Sequence, residues 1–209
     1  MGATSYGVSV YFGDFDQPVS LAAVEFGWDP RPEPSPETGS TERAVFRLRW
    51  LHRLPPGASG LDAAEAVHDF VRQNRELQGR TDIFVNSTGP SGPFLSQYMW
   101  ADDPDPENVI ELHVALRKEK RIAGLQTFRR EKIIVAVKLA LDKQILQIAE
   151  GLPLLDDLQR QIVNFRRVAD PLGRYDYDKP QQYGIDLIVA VGMPIAYASG
   201  AGEPRLDVH

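Results

Sequence analysis

Val8-Ser9-Val10-Tyr11-Phe12-Gly13 is the stretch from which the fold reads outward. It ends the first of three β-rich segments, residues 5–12, 19–27 and 44–52, in which polar and apolar side chains alternate as in half-buried strands. Gly13 to Pro18 carries the Asp, Gly and Pro of a hairpin turn between the first two. Asp29 to Thr41 is rich in Pro, Glu, Ser and Gly, which predicts a flexible surface loop over about 29–41. Leu61 to Leu77 follows as a helix, with Ala64, Val67, His68 and Val71 at helical spacing.

Asp82 to Asn86 reads as a fourth strand, Phe94 to Trp100 as a helix and Val109 to Leu116 as a fifth strand. Lys132 to Lys143 is a helix with Ile133, Val137, Ala140 and Leu141 on one face, then comes a brief strand at Ile145–Ile148 and a helix at Leu154–Phe165. Arg166 to Tyr183 is polar and turn-rich. Leu187 to Tyr197 is apolar almost all round, as a buried last helix would be, with Pro194 placed to kink it. The order predicts an α/β fold with a five-stranded mixed sheet, the hairpin strands antiparallel and the later ones parallel.

With 209 residues, 43% of them hydrophobic, the chain can bury a sizeable core, and residues 1–209 are expected to form one domain. The net charge of −6 gives no global electrostatic case for wrapping nucleic acid. No apolar run approaches the roughly 20 residues that span a bilayer. The first residues lack a basic stretch followed by an apolar one, so a cytoplasmic location is expected, with no membrane partner. The absence of cysteine excludes disulfides, thiolate-bound zinc and thiol catalysis. The four histidines have no metal-ligand spacing.

Three short stretches carry a family likeness. Val8 to Gly13, Ile83-Phe84-Val85-Asn86-Ser87-Thr88-Gly89 and Tyr183-Gly184-Ile185-Asp186-Leu187-Ile188-Val189-Ala190 resemble the three motifs of a phage terminase large-subunit nuclease domain. Supporting pieces keep the family's order: Leu21 to Glu25 after the first motif, Ser87 to Gly92 after the second, and Ala136 to Leu141, Leu146 to Ala149, Leu152 to Leu154 and Asn164 to Arg166 before the third. The resemblance implies a ribonuclease-H-like fold and, in the family, two-metal DNA cleavage on aspartates of V-D-L-G, V-D-A-T-G and H-D-D-L-V-x-A. Here Tyr11, Asn86 and Ile185 stand at three of those aspartate positions, and Asp186 alone keeps its carboxylate. No phosphate loop G-x-x-x-x-G-K-[ST] occurs, so the ATPase half of a packaging motor is absent from this sequence.

Two-metal cleavage needs ions about 4 Å apart, clamped by clustered negative charge. A tyrosine hydroxyl is neutral at neutral pH, and an asparagine offers an oxygen without charge. The resemblance therefore implies a degenerate relative of phage or prophage origin, without nuclease activity or cofactor, kept for DNA binding or assembly. An alternative is an endonuclease dependent on magnesium or manganese that uses Asp14 or Asp16 with Asp186. In bland terms Asp14 and Asp16 are turn residues, and Asp186 complements a helix dipole. A third expectation is a structural homo-oligomer. Arg117, Lys118, Lys120 and Arg121, with Arg129 and Arg130, form the one dense basic stretch and are the candidate DNA-backbone contacts. Phage packaging or assembly proteins are the other expected partners.

Overall fold

The computed structural model describes residues 5–12, 18–30, 42–86, 109–115, 126–165, 167–169, 175–177 and 184–200. Seven strands form one sheet: β1 (Ser5–Tyr11), β2 (Ser20–Pro30), β3 (Glu42–Arg53), β4 (Thr81–Asn86), β5 (Val109–Ala115), β6 (Gln126–Arg129) and β7 (Leu146–Ile148). The helices among these residues are α1 (Gly60–Gln73), α2 (Arg130–Asp142), α3 (Leu155–Asn164) and α4 (Asp186–Ala198). A separate two-stranded ribbon, β8 (Arg167–Ala169) with β9 (Tyr175–Tyr177), lies within the stretch read from sequence as turns.

The sheet order is β6-β5-β4-β1-β2-β3-β7. β2 is antiparallel to both neighbours and every other pairing is parallel, so β2 alone runs against the rest. The expected five strands are its middle, and among the described residues the count of five is corrected to seven. β6 extends one edge after β5. β7, read as a brief strand but left out of the sheet, closes the other edge against β3. β6 is too short, at four residues, for alternation to announce it.

The stretch expected as a loop over about 29–41 opens on the last two residues of β2. Asp29 and Pro30 pair with Arg43 and Glu42 at the far end of β2. The remainder of that loop, the hairpin turn at 13–17 and the helix expected over Phe94–Trp100 lie outside the described residues.

The strands alternate their side chains between two apolar layers. Val8, Val10, Leu21, Ala23, Ile83 and Val85 pack with Ala63, Ala64 and Val67 of α1. Tyr11, Ala22, Val24, Leu48, Phe84 and Leu112 pack on the opposite face, with α2, α3 and α4. Helix α1 starts from a capping box: the Ser59 N–H donates to Asp62 Oδ2 at 2.6 Å, and the Asp62 N–H donates to Ser59 Oγ at 3.2 Å. The Ser59 N–H and the Ser59 hydroxyl, both donating to the Asp62 carboxylate, hold it below its ordinary pKa.

α4 is buried from Asp186 to Ala196 and runs unbroken through Pro194. A proline cannot donate to the carbonyl four residues back, here that of Ala190. Ser9 Oγ, from β1, donates to that carbonyl at 2.6 Å. The sheet thus satisfies the acceptor that the proline leaves over. Gly7 lets the two elements close up, since a Cβ there would lie 2.7 Å from Pro194 Cβ.

Asp82, beside Gly7 in the β1–β4 ladder, is partly buried, and desolvation raises its pKa. A raised carboxyl binds a proton in the folded state that the unfolded chain has released, so its contribution to stability falls as pH rises. Asp82→Asn, which keeps the shape, is expected to raise the urea midpoint at neutral pH. The gain stays below about 1 kcal/mol because solvent screens the group, and it disappears near about pH 3, where the aspartate is protonated in both states. Equal midpoints at neutral pH would refute this.

Candidate functional site

β1 and β4 run side by side with Val10 opposite Val85, so one residue further on Tyr11 and Asn86 finish neighbouring strands on the same face. That is the face covered by α4, and both residues are buried. Asn86 Nδ2 donates to the Phe12 carbonyl at 3.2 Å. Across the hairpin ladder Tyr11 pairs with Ser20, and the Ser20 hydroxyl donates to Asp186 Oδ2. A chain of direct contacts therefore joins the remnants of all three motifs at one end of the sheet. Ile185 is the N-cap residue of α4 and is buried beside Asp186.

Asp186 is the first residue of α4 and 2% exposed. Its Oδ2 also takes the Arg53 Nε–H at 2.9 Å, and its Oδ1 accepts from Gln161 Nε2 at 2.9 Å. The other end of Gln161 is engaged as well, since its Oε1 accepts the Ile188 N–H at 3.0 Å. Gln161, on α3, thereby fills one of the backbone donors left open in the first turn of α4. The positive end of the helix dipole further favours the carboxylate. Gly184 has φ +63°, and a side chain there would come within 2.8 Å of Asp186 Oδ1. Backbone conformation and lack of space both demand glycine at that position.

Arg53 reaches past Asp186: its Nη1 lies 3.2 Å from Asp157 Oδ2, while Arg160 Nη1 lies 3.1 Å from Asp157 Oδ1. Sequence reading found Tyr11, Asn86, Ile185 and Asp186, and missed Ser20, Arg53, Asp157 and Gln161. Two of these carried a signal. Arg53 follows Leu51 on the core-facing side of β3, and Gln161 falls between Leu158 and Phe165 on the buried side of α3.

These residues do not suit a pair of magnesium ions. Both oxygens of Asp186 are committed to donors, and a guanidinium already lies against it. Among the described residues no group of three or more His, Asp or Glu side chains stands close enough to hold a metal. Asp14 and Asp16 lie outside the described residues, as do Arg117, Lys118, Lys120 and Arg121. Arg129 is partly exposed and 3.6 Å from Glu131. Arg130 is 8% exposed, with its Nη1 buried. No helix among the described residues is long and apolar enough to cross a membrane.

No protein-family model matches the sequence, and no curated protein matches it. Solved structures do. The large terminase nuclease of thermophilic phage G20c, solved with cobalt bound, superposes with a TM-score of 0.58 at 14% identity, over 95% of this chain and 88% of that one. The magnesium-bound form of the same nuclease gives 0.56. The large terminase nuclease domain of Thermus phage P74-26 gives 0.55 at 14% identity, over 100% of this chain and 91% of that one. At such identities the shared property is the fold: the chain has the α/β, ribonuclease-H-like architecture of phage large terminase nuclease domains.

Proposed function

We propose that this chain is a non-cleaving relative of the terminase nuclease domain, of phage or prophage origin, retained to contact DNA or a packaging and assembly partner. The observation that carries this reading is the state of Asp186. It is the sole carboxylate among the three motif remnants, and Ser20, Arg53 and Gln161 occupy both of its oxygens. A metal taking either oxygen would have to displace a buried hydrogen bond and approach a fixed positive charge, which costs several kcal/mol before any bond forms. Tyr11 and Asn86 bring no charge to offset that cost. The likeness to terminase nucleases supports the phage connection through fold alone. The reading takes residues 1–209 as one unit and invokes no cofactor.

Supercoiled plasmid incubated with the full chain and magnesium or manganese is expected to stay supercoiled. Divalent-dependent nicking that Asp186→Asn abolishes, in a variant shown by circular dichroism to be folded, would overturn the proposal. DNA contact in this reading goes to phosphates through Arg117, Lys118, Lys120, Arg121 and Arg129. Retention should be independent of sequence, detectable near about 50 mM salt and lost steeply above it. Charge reversal at Arg117, Lys118, Lys120 and Arg121 should remove it. If the unaltered chain shows no retention, the assembly role is what remains.

A further inference from the structure

Arg53 ends β3 on the side of the sheet where Leu51 is buried, and its guanidinium lies between two acids rather than in open solvent. Nε is 2.9 Å from Asp186 Oδ2 and Nη1 is 3.2 Å from Asp157 Oδ2. One planar cation therefore links α4, through Asp186, to α3, through Asp157. A divalent ion shared by two carboxylates would make the same links, with shorter bonds of about 2.0–2.1 Å for magnesium. The guanidinium differs in two respects: it stays charged at any pH at which the protein is folded, and it cannot dissociate. Its charge is also needed, because Asp186 is nearly sealed from water and a buried carboxylate without a counter-charge is strongly unfavourable. With Arg160 on the outer side of Asp157, two acids face two guanidiniums and the cluster is neutral.

The geometry points to Arg53 as the resident cation of this end of the sheet. It takes the part that a divalent ion plays in gathering carboxylates, and it makes the junction of β3, α3 and α4 independent of metal. The inference rests on the non-cleaving reading, because a chain that used Asp186 to bind a catalytic metal could not also keep Arg53 against it.

Thermal unfolding of the full chain in EDTA and in millimolar manganese, with electron paramagnetic resonance to detect bound ion, tests it. The wild-type midpoint is expected to be the same in both conditions, with no manganese bound. Arg53→Gln should unfold at a clearly lower temperature in EDTA, bind manganese, and recover part of the loss on binding it. Adding Asp157→Asn should remove that recovery. Arg53→Lys keeps the charge and should be indifferent to manganese, which decides the matter if the glutamine variant does not fold. The inference is overturned if Arg53→Gln is as stable as wild type, if it folds but ignores manganese, or if the lysine variant needs manganese. Manganese stabilising the wild type through Asp186 would overturn it too. Plasmid cleavage by the wild type ends the proposed function, whereas these midpoints judge Arg53 alone, so the two failures are distinguishable.

Discussion

Gly192→Val is expected to destabilise the fold by about 3 kcal/mol or more, the upper part of the range for forcing extra methyl groups into a packed core. Gly192 lies mid-way along α4, where that helix crosses α2. A Cβ there would sit 2.5 Å from Ile133 Cγ2, 2.8 Å from the Ile133 carbonyl oxygen and 3.0 Å from Val137 Cγ2. The Ile133 methyl could rotate away, but the carbonyl belongs to the backbone of α2 and cannot. The opposite side of α4 is pressed against Gly7 and Ser9 of β1, so the helix has no room to retreat. Gly192→Ala sets two effects against each other. Replacing glycine inside a helix is worth about 1 kcal/mol in propensity, while overpacking costs about 1–3 kcal/mol. The backbone clash should win, leaving a net loss of up to about 2 kcal/mol in urea unfolding. An alanine variant as stable as the wild type would mean that α2 and α4 are not held at this separation.

The second large effect concerns Ser9 and Pro194 as a pair. Ser9→Ala strands the Ala190 carbonyl in the core, because Pro194 has no N–H to offer it, and an unsatisfied buried acceptor costs about 1–3 kcal/mol. In a Pro194→Ala background the residue-194 amide can donate to Ala190 itself. Alanine also keeps the Cβ that lies against Gly7. Ser9→Ala should then cost less, giving a coupling of about 1–2 kcal/mol in a double-mutant cycle. If Ser9→Ala costs the same in both backgrounds, the serine is not the proline's substitute donor.

This pairing marks the limit of what the sequence alone discloses. Pro194 within an apolar run reads as a kink, because helix rules are local and expect the missing bond to distort the helix. What spares α4 is a hydroxyl 181 residues away in the chain. The central strands and the earlier helices were legible because each is long enough for its period to repeat, and α4 because its apolar run is nearly unbroken. β6 was not, since Gln126 to Arg129 is four residues and passes straight into α2 with no turn residue between them. The site divides in the same way. Tyr11, Asn86 and Asp186 were found through motifs. The groups that define the state of Asp186 were not, because Arg53 and Gln161 belong to other elements, and only their polarity on buried faces hinted at a partner.

The place of α4 in chain order has a consequence for biosynthesis. Once β4 has been made, α1 can already cover one face of β1, β2 and β4. The other face, with Ala22, Val24, Leu48 and Phe84, needs a helix whose centre is encoded some 181 residues after Ser9. At ribosomal speeds of roughly 5–20 residues per second, the stretch from the end of β4 to the middle of α4 leaves that apolar surface uncovered for about five to twenty seconds. Contacts that bridge so much chain also slow folding after release. Expression in a host poor in nascent-chain chaperones should therefore divert this protein to aggregates before α4 docks.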